Sequence, residues 1–278
     1  MINVGISHSA YRGRVTSELK DLAVSIAIEA GELALRRRRE GVSVAATKSS
    51  AVDVVTAADR EVEAFIRGRL AAARPGDGFL GEESDSALGS TGLTWIVDPI
   101  DGTVNYLYDI PSWAVSVAVA EGGTDPATWR VLAGCVVNPS MGEVFAASAG
   151  AGATLGGQPV SVSAPSSLSQ SLVATGFGYD AERRREQATT VSRLIGEVRD
   201  IRRMGAASLD LCALAAGRID AYYERGLSAW DFAAGALIAA EAGAVVEVAD
   251  VREGRRLVAA APPGIAEEFL SLIRETGA

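Results

Sequence analysis

The chain has 278 residues, enough for one large domain or two small ones with a sizeable hydrophobic core. Its formal net charge of −9 argues against a general affinity for nucleic acid or an anionic membrane surface, but not against a small anion held beside bound cations. The 2 cysteines lie in apolar runs and give no disulfide framework or zinc site, and the 1 histidine, His8, argues against a Ser-His-Asp triad or a histidine-ligated metal.

Residues 1–15 lack the apolar run of a signal peptide and are expected as a flexible tail ahead of a single domain over 16–278. From 16 to 39, Leu19, Leu22, Ala23, Ile26, Ala30, Leu33 and Ala34 recur at helical spacing. The helix ends in a run of arginines, the usual complement of its dipole. VDVVTAADREVEAFIRGRL reads as a short strand and then a helix, with Thr56 as N-cap and Asp59 three residues on. FLGEES and a polar loop follow, then the strands TWIVD and WAVSVAVA. RVLAGCVVN and GEVFAAS predict a hairpin turning between Asn138 and Gly142.

The turn-rich segment 150–169 is expected to join two halves, about 16–150 and 151–278. Beyond it come a strand (SLVATGF), a helix over about 181–198, and a helix opening at GAASLDLCALAAG. A short strand (IDAYYE), a helix over about 230–242, the strands VVEVAD and RLVAAAP, and a last helix close the chain. The apolar stretch AWDFAAGALIAAEAGAVV is interrupted by Asp231 and Glu241, so no membrane span is expected and a cytoplasmic location is. Alternating strands and helices with antiparallel features predict a layered mixed α/β fold.

WIVDPIDGTVNY is the most informative stretch. It begins as a buried strand and ends on two aspartates, Asp98 and Asp101, with Pro99 between them. Pro99 biases Asp98 towards an extended conformation, and Gly102 permits a tight approach. Both carboxylates and the Ile100 carbonyl can converge on one cation, and a helix starting near Gly102 and Thr103 would offer free N–H groups to an anion. The plain alternative is two successive turns, Asp-Pro and Asp-Gly. Glu82 and Glu83 beside a glycine, Asp231 in the first turn of an Ala-rich helix, and Asp59 as N3 partner of Thr56 are each weak signals alone.

Taken together, KSSAVDVVTAAD, GEES, WIVDPIDGTVNY and GAASLDLCALAAGRIDAYYERGLSAWDFAAGALIAAEAG resemble, in order and spacing, the inositol monophosphatase family, over about 48–260. The resemblance implies a layered αβαβα sandwich of the inositol monophosphatase/fructose-1,6-bisphosphatase type, Mg²⁺ as cofactor at two or three ions per site, lithium inhibition and a homodimer. It implies Glu82, Asp98, the Ile100 carbonyl, Asp101 and Asp231 as metal ligands. It implies that Asp59 and Thr103 activate a water, with Glu82 helping. Asp101, Gly102, Thr103, Gly205, Ala206, Ala207 and Glu224 are the implied substrate-binding positions. Val104 replaces a threonine frequent in the family, Tyr106 a phenylalanine, and Ala206 a serine or threonine, which removes a hydroxyl near the substrate.

The reading that follows is hydrolysis of inositol-1-phosphate. Histidinol phosphate, fructose-1,6-bisphosphate and 3'-phosphoadenosine phosphate are the alternatives within the superfamily. Glu224 would repel the second phosphate of a bisphosphate. Arg183 to Arg185 read as a solvated helix start in preference to a substrate clamp. A regulatory protein on the same fold would show degenerate ligands, and here every ligand position is filled.

Overall fold

The computed structural model describes residues 8–41, 44–47, 54–252 and 255–278. A long helix, α1 (His8–Glu40), is followed by a two-stranded ribbon, β1 (Val44–Thr47) and β2 (Val54–Thr56), and by α2 (Ala57–Ala73). Next come β3 (Gly78–Gly81), β4 (Leu93–Asp101), α3 (Thr103–Tyr108), β5 (Ala114–Glu121), β6 (Arg130–Asn138), β7 (Glu143–Ser148), β8 (Ala153–Leu155) and β9 (Gln158–Val160). The remainder holds β10 (Leu172–Thr175), α4 (Ala181–Leu194), β11 (Asp200–Arg202), α5 (Ala207–Ala215), β12 (Ala221–Leu227), α6 (Ala229–Glu241), β13 (Val245–Arg252), β14 (Arg255–Ala261) and α7 (Pro263–Thr276).

β3 to β9 form a seven-stranded sheet in chain order, and a five-stranded sheet runs β11-β10-β12-β14-β13. Successive strand side chains face opposite sides of a sheet, so each sheet feeds two cores. Trp95, Val97, Val115, Val117 and Val119 pack on Leu19, Ile26 and Ile66 of α1 and α2. Ile96, Ala118 and Ala120, from the same strands, meet Leu209, Cys212, Ala234 and Ile238 of α5 and α6. The other side of α5 and α6 (Leu211, Phe232, Ala239) meets Tyr222, Val258 and Ala260 of the second sheet. Tyr223, Leu257 and Ala259 then face Leu194 of α4 and Phe269 and Ile273 of α7. The result is the αβαβα sandwich.

Small residues bring the central layer close. A Cβ on Gly134 of β6 would sit 3.0 Å from the Ala234 Cα, and one on Gly235 2.9 Å from the Leu211 Cβ. Tyr106 stacks edge-on against Trp113 at 4.8 Å and donates its hydroxyl to the Ala34 carbonyl at 2.8 Å. That pins α3, and the turn before it, to α1.

Several expectations are corrected. α1 begins at His8, so residues 8–15, expected in a tail, are helical. The Thr16 hydroxyl donates to the Gly13 carbonyl within the helix. Residues 1–7 of the expected tail, and 48–53 of the first resemblance motif, lie outside the described residues. The segment 150–169 is more than a joint, because β8 and β9 extend the first sheet. α4 ends at Leu194 instead of about 198, just before Gly196. β11 gave no strand pattern in the sequence and exists by parallel pairing with β10.

Candidate active site

The chemistry of the site starts with a strand irregularity. Residues three apart on a regular strand point to opposite faces. Between Asp98 and Asp101 the register of β4 on β5 shifts, with Asp98 opposite Ser116 and Asp101 opposite Ala114. The extra residue is a bulge, which turns both carboxylates to the same side. Asp98 Oδ1 accepts the Ile100 N–H at 3.0 Å, closing the turn. Gly102 then adopts φ of 88°, and a Cβ there would stand 3.0 Å from the Ser112 carbonyl, so glycine is required.

Other elements deliver carboxylates to the same cleft, which has a volume of about 330 Å³. Glu82 follows β3, and Asp231 comes from the first turn of α6, where its Oδ2 accepts the Ser228 N–H at 2.6 Å. Glu224 of β12 stands on the cleft wall, with Oε2 accepting from the Tyr222 hydroxyl at 2.9 Å. A Cβ on Gly176 would collide with that carboxylate, so the strap at 176–179 passes Glu224 only because it begins with glycine.

Asp59 does two jobs. Its Oδ2 accepts the Thr56 N–H at 2.9 Å and the Thr56 hydroxyl, completing the capping box. Its Oδ1 accepts from the Thr103 hydroxyl at 3.3 Å, behind the cleft wall. The Thr103 hydroxyl also lies 3.1 Å from the Ile100 carbonyl.

Electrostatics set this region apart. Burial, then repulsion from Glu82, Asp101 and Asp231, pushes the Asp98 carboxyl well above its usual range. Asp231 is raised in the same way by burial and by Glu82 and Asp101. Burial pushes Asp101 up to about 6, although hydrogen bonds from Ser208 pull it down. Asp59 is pushed up to about 6, again chiefly by burial, and Glu224 to about 7. Arg203 pulls Glu224 down, but Asp98, Asp101 and Asp231 are raised by burial and by neighbouring negative charge, which a cation among them would offset.

Among the described residues no three or more histidine, cysteine, aspartate or glutamate side chains stand in finished metal-holding geometry. Like-charged carboxylates without a cation separate or share a proton, and Asp98 hydrogen bonds to Glu82. The available donors are carboxylate and carbonyl oxygens, with neither imidazole nor thiolate. That set fits a hard divalent ion such as Mg²⁺ and does not suit zinc or copper.

The cleft is lined by Glu82, Asp98, Ile100, Asp101, Gly102, Thr103, Gly205, Ala207, Glu224 and Asp231 of the expected set. Asp59 lies behind Thr103. Ala206 is turned into the apolar core below, because the extended backbone before α5 points its methyl inward.

Sequence reading missed several neighbours. Ser208 donates twice to Asp101. Asn105 Nδ2 donates to the Ser112 and Met204 carbonyls at 2.7 and 2.8 Å, fixing the approach to Gly205. Asp210 is fully buried, and neither of its carboxyl oxygens has a partner among the described residues. Arg183 and Arg203 both line the cleft, so Arg183 departs from the solvated reading given to it, while Arg184 and Arg185 are exposed. Apart from the Asn105–Ser112 bond, these contacts join residues about a hundred positions apart, and no local pattern signals them.

The model of the inositol monophosphatase family matches residues 16–278. The chain belongs to the inositol monophosphatase family. That is a family of metal-dependent phosphatases, and this member is an enzyme of that class. It is 43% identical to a Mycobacterium tuberculosis protein named inositol-1-monophosphatase SuhB, over 93% of this chain and 94% of that relative. A Vibrio cholerae relative named Nus factor SuhB is 36% identical, covering 92% of this chain and 96% of its own length. Among solved structures, Mycobacterium tuberculosis SuhB superposes with a TM-score of 0.81 at 41% identity, covering 94% of this chain and 98% of that one. This family member has no helix among the described residues long and apolar enough to cross a membrane.

Proposed function

We propose that the protein is a Mg²⁺-dependent phosphomonoesterase that hydrolyses inositol-1-phosphate. The observation that carries this reading is the convergence of Asp98, Asp101, Asp231 and Glu82 on one cleft, with buried carboxyls raised for want of positive charge. Glu82, Asp98, the Ile100 carbonyl, Asp101 and Asp231 would hold the metal. Bound Mg²⁺ would lower the pKa of an attacking water and offset charge on the phosphoryl oxygens.

The chain's own groups account for the remaining steps. Thr103 Oγ donates to Asp59, which leaves its lone pairs to accept from a water and orient it. Asp59, held by Thr56, takes the water's proton through that hydroxyl. The backbone N–H groups of Gly102 and Thr103 face the phosphate. Glu224, fixed by Tyr222, meets a hydroxyl of the substrate, and Gly205 and Ala207 form the wall beside it. No covalent phosphoenzyme is required.

Phosphate release from inositol-1-phosphate and histidinol phosphate, with and without Mg²⁺, tests this reading, with Asp101→Asn as control. Mg²⁺-dependent release from the inositol ester, lost in the control, is the expected outcome. Turnover of histidinol phosphate alone would replace the substrate assignment, and absence of both turnover and Mg²⁺ binding would overturn the mechanism.

The protein is also proposed to form a homodimer in the cytoplasm. Tyr108, Ile110 and Met141 are 72%, 46% and 60% exposed. Met141 lines a groove with Pro111, Phe145, Met204 and Leu209, beside the charged Glu143, Arg202 and Arg218, a surface suited to a second copy. A solution mass equal to one chain would remove the dimer.

A further inference from the structure

α2 carries a second buried carboxylate one turn beyond Asp59. Glu63 is 2% exposed, and its Oε2 accepts the backbone N–H of Glu83 at 2.8 Å, twenty residues along the chain. A carboxylate is costly to bury without a partner, and no ion pair to Glu63 occurs among the described residues. The backbone N–H of Glu83 is the hydrogen-bond donor that meets it. The chain is shaped to admit this contact: a Cβ on Gly81 would collide with the Glu63 carboxylate. Glu63 therefore grips the turn from both sides of Glu82, by contact at Gly81 and by hydrogen bond at Glu83. β3 ends at Gly81, so nothing from the sheet ladder fixes Glu82 directly.

We propose that Glu63 is a positioning residue that sets the direction of the Glu82 carboxylate towards Asp98 and the metal. Asp59 and Glu63 lie at i and i+4 on α2 and so share one face of it. One helix thereby holds both the Thr103 pair and the Glu82 arm at a common spacing. Glu63 touches neither substrate nor metal; it acts through the backbone of the turn. This inference rests on the Mg²⁺ reading above.

The deciding measurement is Mg²⁺ binding to the metal-free protein by titration calorimetry, beside thermal unfolding. Glu63→Asp keeps the charge but shortens the reach by one methylene. Glu63→Gln keeps the length and an accepting oxygen but removes the charge. Positioning predicts Mg²⁺ affinity down about tenfold in Glu63→Asp and within about twofold of the unaltered protein in Glu63→Gln. Unchanged affinity in Glu63→Asp overturns the inference, whatever happens to its melting temperature, because a purely structural role moves only the latter. Loss in Glu63→Gln with retention in Glu63→Asp also overturns it and points to charge in place of reach. Should Glu63→Asp not fold, Gly81→Ala, which displaces the same carboxylate, is held to the same tenfold criterion. An unaltered protein that binds no Mg²⁺ overturns the metal reading itself; binding by the unaltered protein with no change in the variants overturns only the role of Glu63.

Discussion

Ser208 donates its backbone N–H and its hydroxyl to the same oxygen of Asp101, Oδ2, at 2.7 and 2.5 Å, across 107 residues of chain. The two bonds oppose the burial that raises the Asp101 carboxyl and keep it nearer the ionised form a cation needs. They also tie the start of α5 to the end of β4, joining the two halves of the molecule at the site.

Ser208→Ala removes the hydroxyl bond and leaves the N–H. A hydrogen bond to a charged group contributes about 1.5–3 kcal/mol, so kcat/KM for inositol-1-phosphate is expected to fall at least about tenfold, with the fold intact. A value within twofold of the unaltered enzyme would sink this role.

Thr103→Val keeps the shape of the side chain and removes the hydroxyl that faces Asp59. Proton transfer by a positioned group is worth on the order of a hundredfold or more, so kcat should drop by about that factor. Mg²⁺ affinity should hold, since Glu82, Asp98, Asp101 and Asp231 are untouched and the Ile100 carbonyl loses only its contact with the Thr103 hydroxyl. A drop in affinity with kcat preserved would move Thr103 from water orientation to metal binding.

Glu224 gives the metal-free protein a pH signature. Burial pushes its carboxyl from 4.5 up to about 7, opposed by the Tyr222 hydroxyl. The folded state therefore holds this proton more tightly than the unfolded state. Its contribution is fully present below pH 4.5 and is lost as pH rises to about 7. Glu224→Gln removes that dependence. In urea unfolding, the variant should gain on the unaltered protein across this window, by roughly 3 kcal/mol at full extent. A difference that stays flat with pH would show that the carboxyl is not raised.

Asp77 behaves in the opposite sense. Burial alone would raise its carboxyl, but bonds from Arg74 at 2.8 Å, Thr91 at 2.6 Å and Trp95 Nε1 at 2.9 Å outweigh it and hold the carboxyl below 3.8. That stability is present above 3.8 and lost as pH falls through the lower folded value. Asp77→Ala breaks the bonds from all three partners and should cost about 2–4 kcal/mol at neutral pH. Phosphatase activity per folded molecule should be retained, because none of Arg74, Asp77, Thr91 and Trp95 lines the cleft. A melting temperature equal to that of the unaltered protein would refute the brace.

Much of the candidate site was legible because its pieces are local. The Asp98–Asp101 turn, the Thr56–Asp59 box and the Ser228–Asp231 box each depend on backbone groups within three residues. Such contacts are written in adjacent residue types, and so was the alternation that separates the four cores. A capping role for Asp59 leaves room for a second one, since one oxygen faces Thr56 and the other Thr103. Arg183 was misread because a charged residue early in a helix looks the same whether it faces water or a cleft.

By itself the sequence determined most helices and the longer strands, the turn that carries two aspartates, and an all-oxygen set of candidate donors. These follow from turn chemistry, capping and side-chain period, all of which act over a few residues. Only the tertiary structure decided that Ser208 reaches Asp101, that Glu63 grips the Glu82 turn, that Ala206 faces the core, and that Asp210 is sealed beneath the cleft. Those relations depend on how closely five layers pack, which the small residues at Gly134, Ala234 and Gly235 permit. Packing distance between elements far apart in the chain is a collective property, and no local pattern encodes it.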